Sequence, residues 1–149
     1  MPQIKAICVS NKKGIKREVN TALVVQNFGI ENDFHAKENS LRQISILIYE
    51  IFQQKKDELY KNGINIDYGA FGENLILEGI NFSEVKIGNK IFFDSGVELE
   101  ITIIGKDCPA PCLIQQKTGS CIMPEYGIFC KVLKGGILKN GDCCYYSQW

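Results

Sequence analysis

The stretch that decides the fold is residues 88–105, which read GNKIFFDSGVELEITIIG. Within it, Lys90–Phe93 and Glu98–Ile104 are rich in isoleucine and phenylalanine, and a glycine stands at each boundary. β-Branched and aromatic residues at this density, separated by turn residues, are typical of short β-strands. The stretch therefore predicts two strands of a sheet.

Similar short segments occur on both sides of this stretch. We expect strands over residues 3–10, 16–26 and 42–49, and another within residues 127–141, where the turn KNGD begins at position 139. Many short strands separated by turn signals are typical of closed β architectures. The fold class predicted is mostly β, a closed antiparallel β-barrel.

One helix interrupts the predicted strands. Apolar residues recur at positions 48, 51, 52 and 59 with charged residues between them, and the pattern stops at Asn62-Gly63. This is the spacing of a helix that buries one face. We therefore expect one main helix near residues 48–62 and only short helical turns elsewhere.

The composition limits the kind of protein. The chain has 149 residues, 45% of them hydrophobic, which suits a single domain over residues 1–149. Seventeen basic residues balance seventeen acidic ones, so we expect no nucleic-acid partner. No run approaches the ~20 apolar residues that cross a bilayer, and residues 1–5 lack the features of a signal peptide. We expect a cytoplasmic protein that does not bind membranes.

The cysteines point to thiols rather than to disulfides. There are seven, an odd number in a chain long enough to fold without disulfide bonds, at positions 8, 108, 112, 121, 130, 143 and 144. We expect most of them to be buried and one or two to carry chemistry. A structural zinc site would need four ligands, and Cys108, Cys112, Cys121 and Cys130 give only a loose pattern for one.

Cys121 is the stronger candidate for a reactive thiol. It lies in the loop-like sequence GSCIMPE at 119–125. A thiol becomes nucleophilic when positive charge or backbone donors favour its thiolate. Lys106 or Lys117 could supply the charge, but the linear sequence does not place either lysine beside Cys121.

Two groups of polar residues could form a binding site. In the first, Asp33 stands two positions before His35, the only histidine, and Arg42 is one of two arginines. A planar guanidinium suits phosphate or carboxylate better than an ammonium does. The same residues could form a turn with an exposed ion pair, and residue types alone leave both interpretations open.

The second group is GAFGENL at residues 69–75. Two glycines around a phenylalanine imply a tight turn or a close approach of the backbone, and Glu73 and Asn74 add polar groups there. The spacing matches neither a dinucleotide-binding fingerprint nor a P-loop. A purely structural turn, with Asn74 bonded to its own backbone, remains open beside a binding role.

Taken together, these segments resemble the MOSC family, named for the C-terminal domain of molybdenum cofactor sulfurase, and in particular its stand-alone bacterial members. The resemblance runs from about residue 7 to residue 146 and rests on the order and spacing of its motifs. These are SNKKGIK at 10–16, Gly29, Asp33, His35, RQIS at 42–45, GAFGENL at 69–75, Gly88, IGK at 104–106, Cys112, GSCIMP at 119–124, GIF at 127–129, KGG at 134–136 and Gly141-Asp142.

The resemblance implies a fold and a role for one cysteine. The family fold is a β-barrel similar to the small barrel domain of pyruvate kinase. The family's characteristic cysteine falls at Cys121, which would carry sulfur as a persulfide or bind the molybdenum of a pterin cofactor. A persulfide requires an accessible thiolate, and a soft thiolate suits a sulfur-rich metal centre.

The resemblance also implies a pocket for the molybdenum cofactor, molybdopterin. Arg42 would bind its phosphate, and Lys106 would add charge. Gly72, Glu73 and Asn74 would contact the polar edges of the pterin.

His35, oriented by Asp33, would place a hydrogen-bond donor near the centre of that pocket. Similar relatives tend to have glycine before the aspartate and after the histidine, where this chain has Asn32 and then Ala36-Lys37. Because asparagine tolerates left-handed backbone geometry, we expect Asn32 to make the same turn.

Three functions follow from the resemblance. The first is a sulfur carrier or cofactor-binding protein in molybdenum cofactor maturation, with a cysteine desulfurase or a cofactor biosynthesis or acceptor protein as partner. Any pyridoxal phosphate would then belong to that separate desulfurase. The second is a molybdenum-dependent oxidoreductase that reduces N-hydroxylated compounds with a partner reductase. The third is a binding module without chemistry.

Overall fold

The computed structural model describes residues 2–105 and 121–147. The strands are β1 (Gln3–Val9), β2 (Arg17–Val19), β3 (Thr21–Val25), β4 (Gly29–Ile30), β5 (Ile44–Ile48), β6 (Leu75–Glu78), β7 (Lys90–Phe93), β8 (Glu98–Ile104), β9 (Ile128–Lys134), β10 (Gly136–Lys139) and β11 (Cys144–Ser147). The helices are α1 (Tyr49–Lys61), α2 (Met123–Tyr126) and a 3-10 turn (Phe82–Glu84). The mostly-β prediction and the helix near 48–62 are confirmed.

The described strands form two sheets. The larger has eight strands in the order β11-β7-β8-β9-β5-β6-β1-β2, and the smaller has three in the order β10-β3-β4. Every pair is antiparallel except β5 with β6, which run parallel because helix α1 carries the chain back between them. The large sheet is therefore mixed, mostly antiparallel with one parallel pair, and closure into a barrel stays a prediction.

The stretch 88–105 forms a hairpin. Strands β7 and β8 pair antiparallel with Ile91 opposite Leu99, and the Gly96 amide donates to the Phe93 carbonyl over 2.9 Å. Gly96 has φ +97°, a conformation that suits glycine. The two strands predicted here are confirmed with the expected bounds.

The segment 16–26 forms two strands, where the sequence analysis predicted one. Strand β2 pairs with β1 in the large sheet, and β3 pairs with β10 in the small sheet. The chain changes sheets at Asn20, whose carbonyl accepts from the Asn140 amide over 2.9 Å. Residues 127–141 divide in the same way, into β9 and β10.

Strand β5 lies between two hydrophobic clusters. All five of its residues are buried, with Ile44, Ile46 and Ile48 in one cluster and Leu47 in the other. Because successive side chains of a strand point to opposite faces, this strand packs on both sides. Helix α1 covers the second cluster with Phe52 and Leu59.

The loop between α1 and β6 packs tightly against the segment that enters β2. Gly69 has φ +94°, and a Cβ placed on it would lie 2.2 Å from the Lys16 carbonyl oxygen. The Lys16 amide donates to the Gly69 carbonyl over 2.9 Å. Only glycine fits this close approach without displacing the backbone around Lys16.

Within the described ranges 2–105 and 121–147, no helix has both the length and the apolar character needed to cross a membrane.

Gly69→Ala should destabilise the protein more than a matched glycine substitution does. Gly63 also has positive φ, but a Cβ there would meet nothing within 4 Å. We expect Gly63→Ala to cost about 1 kcal/mol for backbone strain alone, and Gly69→Ala about 2 kcal/mol more, since backbone must also move. Urea unfolding of both variants measures the difference. Equal losses would contradict the close packing of Gly69 on Lys16.

Candidate functional site

A buried group of three polar side chains lies where β1 ends and the loop 31–40 begins. Lys16 Nζ is 2.7 and 2.8 Å from the two carboxylate oxygens of Asp33 and 2.8 Å from Nδ1 of His35. The side chains of Lys16 and Asp33 are 1% and 0% exposed, and that of His35 is 20% exposed. A buried ammonium and a buried carboxylate are tolerated together because each neutralises the other's charge and satisfies its hydrogen bonds.

Backbone amides hold the Asp33 carboxylate in place. The amides of Ser10 and His35 donate to it over 3.0 and 2.9 Å. The Phe34 amide donates in turn to the Ser10 carbonyl over 2.7 Å, which ties the loop to the end of β1. Asn32 adopts φ +68°, so the left-handed turn expected at this asparagine is confirmed.

The charges of this group are fixed by burial and by the pairing. Burial alone would raise the pKa of Asp33, but the charge and hydrogen bonds of Lys16 and the backbone amide of Ser10 hold that pKa well below its usual range. Burial lowers the pKa of Lys16, and Asp33 opposes the change. The pair is therefore an ammonium with a carboxylate at neutral pH.

The pair determines which nitrogen of His35 carries a proton. Nδ1 is 2.8 Å from Lys16 Nζ and 3.6 Å from the nearer Asp33 oxygen, so the lysine contact is the hydrogen bond. Because an ammonium can only donate, Nδ1 must accept. His35 is then a neutral imidazole with its proton on Nε2.

Arg42 is exposed and lies beside the same group through Phe129. Its guanidinium carbon is 5.3 Å from the centre of the Phe129 ring, and the His35 ring centre is 6.5 Å from that of Phe129. A guanidinium over an aromatic face gains a cation–π interaction while its N–H groups stay available to an anion. The structure thus brings together Asp33, His35 and Arg42, the first group predicted from sequence.

Glu73 is fully buried and bonded to its own loop. Its carboxylate accepts from the Gly69 amide over 2.8 Å and from the Phe71 amide over 3.0 Å. Burial raises the pKa of Glu73 to about 7, although these amides and the Lys16 charge favour the carboxylate. The arrangement gives Glu73 a structural task, which is to hold the loop that supports Lys16.

Asn74 and Gly72 are also buried and also bond to protein. The Asn74 side chain accepts from the Ser45 amide over 3.0 Å and donates to the Cys8 carbonyl over 3.1 Å. The Gly72 carbonyl accepts from the Ser45 hydroxyl over 3.2 Å. Contact of Gly72, Glu73 and Asn74 with the edges of a pterin stays a prediction.

The described cysteines divide into two kinds. Cys8, Cys130 and Cys144 are buried, and burial raises the pKa of each thiol, to about 12 for Cys144. Cys121 and Cys143 are partly exposed. The expectation that several cysteines act as small buried apolar residues is confirmed for the first three.

Cys121 lies directly before α2. It packs against the hydrophobic cluster that contains Phe129, the residue in contact with both Arg42 and His35. Among residues 2–105 and 121–147, no three histidine, cysteine or acidic side chains are grouped closely enough to hold a metal ion. Lys106, Lys117, Cys108 and Cys112 lie outside the described residues, so their predicted roles stay predictions.

Three residues that build this site do not stand out in the sequence. Lys16 was noted only within the motif SNKKGIK, because nothing in a linear sequence marks one of fifteen lysines as buried. Phe129 and Ser45 likewise appear only within the motifs GIF and RQIS. A serine inside ISILI was the available signal, since a buried hydroxyl needs a partner.

A separate cavity of about 360 Å³ opens at the other end of β1. None of the predicted site residues lines it. Its lining residues are Pro2, Gly79, Ile80, Asn81, Glu84, Cys144, Tyr145 and Tyr146.

Comparison with known proteins gives a family and a fold. The sequence model of the MOSC domain matches residues 32–145. No curated protein matches the chain. Among solved structures, the YuaD protein from Bacillus subtilis is 22% identical with a TM-score of 0.76, and the alignment covers 100% of this chain and 98% of that one.

Two YiiM proteins have a similar fold. YiiM from Geobacillus stearothermophilus is 20% identical with a TM-score of 0.72, covering 99% of this chain and 76% of that one. YiiM from Escherichia coli is 14% identical with a TM-score of 0.67, covering 99% and 70%. At these identities the similarity establishes the fold alone.

Replacing Glu73 should change how stability depends on pH. With a pKa raised from 4.5 to about 7, native Glu73 holds a proton that the unfolded chain releases. Because the native protein must give up this proton as pH rises, the free energy of unfolding falls between pH 4.5 and about 7. We expect wild type to lose up to about 3 kcal/mol relative to Glu73→Gln between pH 4.5 and 7.

Urea unfolding of both proteins at a series of pH values measures this difference. Using the difference removes the contributions of the other titrating groups. Glu84→Gln, at an exposed carboxylate, is the control and should follow wild type. A constant difference between wild type and Glu73→Gln across the window would contradict the raised pKa.

Alkylation should distinguish the two kinds of cysteine. In native protein at neutral pH, iodoacetamide should modify Cys121 and Cys143 and leave Cys8, Cys130 and Cys144 unmodified, because only accessible thiolates react. Peptide mass spectrometry after timed quenching gives the rate for each thiol. Alkylation of Cys130 as fast as that of Cys121 would contradict the burial described here.

Proposed function

The chain belongs to the MOSC domain family, and from that premise we propose that it takes part in molybdenum cofactor maturation, with Cys121 carrying sulfur as a persulfide or binding the molybdenum of the cofactor. The observation that carries the proposal is the position of Cys121. It is a partly exposed thiol packed against the cluster of Phe129, beside which Arg42 and His35 lie. In this proposal a soft nucleophile and a cation able to bind an anion border the same hydrophobic cluster.

The sulfur-carrier reaction balances without an external oxidant. The Cys121 thiolate attacks the outer sulfur of a donor persulfide, a new sulfur–sulfur bond forms at Cys121, and the donor leaves as a thiolate. The transferred sulfur keeps its oxidation state, so no electrons are gained or lost overall. The attack needs an accessible thiolate, which the buried Cys8, Cys130 and Cys144 cannot readily supply.

The site residues suit the molybdenum cofactor in their chemistry. Cys121 would be the soft ligand for a sulfur-rich metal, and the exposed Arg42 guanidinium can bind the phosphate bidentately, through two parallel hydrogen bonds. When bound, the cofactor supplies two-electron redox chemistry at its metal. Lys106 adds positive charge in this proposal.

The buried residues of the site fix its geometry and the position of one proton on His35. Lys16 and Asp33 fix His35 as a neutral imidazole whose Nε2 proton can be donated to a bound group. Gly72, Glu73 and Asn74 hold the loop 69–74 in place through buried hydrogen bonds, and in this proposal they also contact the polar edges of the pterin. The partner in this proposal is a separate pyridoxal-phosphate cysteine desulfurase, or a cofactor biosynthesis or acceptor protein.

Incubation with a cysteine desulfurase and cysteine should add one sulfur atom to the protein. We expect Cys121→Ser to lose this addition and Cys143→Ser, which removes the other partly exposed described thiol, to retain it. Intact mass spectrometry without reductant measures the gain, and dithiothreitol should reverse it. Sulfur retained by Cys121→Ser but lost by Cys143→Ser or Cys112→Ser would overturn the assignment of Cys121.

Metal and pterin analysis of the purified protein separates the two forms of the proposal. Metal-free protein that accepts sulfur on Cys121 is a carrier. Molybdenum and pterin that co-purify with wild type and are lost in Cys121→Ser would instead favour stable cofactor binding, as an oxidoreductase or a binding module requires.

A further inference from the structure

The mouth of the site has an exposed surface that the proposed chemistry does not use. Three apolar side chains there are exposed, Ile15 to 41%, Phe34 to 49% and Leu41 to 55%. Exposed apolar groups clustered at one place on a small protein mark interaction sites more often than those scattered singly. Together with Lys12 and Lys13 they form what we call the docking surface.

Hydrogen bonds and ring contacts place Lys12, Phe34 and Leu41 around the site, and Ile15 directly precedes Lys16 in the chain. The Lys12 amide donates to the Ser10 hydroxyl, and the Phe34 amide donates to the Ser10 carbonyl over 2.7 Å. The Phe34 ring lies 5.9 Å from that of His35. The Thr102 hydroxyl lies within hydrogen-bond distance of the backbone carbonyls of Leu41 and Phe129, and its one proton can be donated to either. The docking surface is therefore continuous with His35 and Phe129.

Exposed charge in this region is more often basic than acidic. In residues 10–18 and 31–42 five exposed side chains are basic and three are acidic, although the whole chain has no net charge. The basic ones are Lys12, Lys13, Arg17, Lys37 and Arg42, and the acidic ones are Glu18, Glu31 and Glu38. Lys16 and Asp33 neutralise each other inside. An apolar centre with a basic rim fits a partner with an apolar centre and an acidic rim.

We propose that the docking surface binds an acidic, persulfide-bearing protein that delivers sulfur to Cys121. This inference rests on the proposed function and names the surface through which its partner acts. Cys121 packs on the cluster of Phe129, and Phe129 is joined through His35 to Phe34 on the docking surface. A donor seated on the docking surface brings its persulfide to the same mouth. Opposite charge on the two proteins raises the rate at which they meet.

The test compares two sulfur donors acting on Cys121. One is the cysteine desulfurase of the same organism with cysteine, and the other is inorganic polysulfide, which needs no docking. For each protein we measure the ratio of the desulfurase rate to the polysulfide rate by mass spectrometry. At low salt, Lys12→Glu/Lys13→Glu should lower this ratio about tenfold, and the loss should shrink as salt screens the charges.

Two further variants make the test specific. Lys86→Glu/Lys139→Glu changes the net charge equally at exposed lysines elsewhere, Lys139 being tied to Asp142 near the start of β1, and should keep the wild-type ratio. Ile15→Gln should lower the ratio at low and at high salt alike, because its contribution is apolar. Circular dichroism of each variant shows that it is folded.

The possible outcomes test the docking surface and the sulfur-carrier function separately. A ratio that stays at the wild-type value in Lys12→Glu/Lys13→Glu would overturn the docking surface. Loading of Cys121 by polysulfide but not by the desulfurase would also overturn it, while the proposed function stands. Failure of both donors to load Cys121 in wild type would overturn the sulfur-carrier function itself.

Discussion

The ion pair between Lys16 and Asp33 is the constraint on which the site depends. Both charges are almost completely removed from water, where an unpaired ammonium or carboxylate would be very costly. Two lysine contacts and two backbone amides satisfy the carboxylate. Because those partners come from the end of β1, the segment before β2 and the loop 31–40, forming the pair brings three separate parts of the chain together. The same lysine fixes the proton position of His35.

A second layer of buried polar groups holds this arrangement from behind. The loop 69–74 touches Lys16 through Gly69, bonds to itself through Glu73 and reaches strands β1 and β5 through Asn74. Each of these groups bonds to backbone, so the loop adopts one conformation rather than several. The motif GAFGENL therefore supports the site chiefly by positioning Lys16.

Local patterns predicted the elements better than they predicted the site. Strands β7 and β8 and helix α1 follow directly from residue type and spacing, since those signals act within a few positions. The division of 16–26 between two sheets could not be predicted, because it depends on β10 far along the chain. Burial of Lys16 was invisible for the same reason. His35 and Arg42 stood out because histidine and arginine are rare in this chain, and Asp33 because it lies two positions before the histidine. The solvent exposure of Cys121 and the burial of Glu73 needed the fold.

The site combines a buried, ion-paired interior with a partly exposed edge. The Lys16–Asp33 pair and the loop 69–74 set the geometry of the site. Cys121 is partly exposed, and Arg42 and the docking surface are exposed to solvent. Mass spectrometry of the protein isolated from its own cells without reductant tests the central claim most directly. The account predicts that the peptide containing Cys121 carries one extra sulfur that dithiothreitol removes, or that intact protein carries a molybdenum pterin lost in Cys121→Ser. An unmodified Cys121 in metal-free protein, with the extra sulfur on another cysteine, would contradict it.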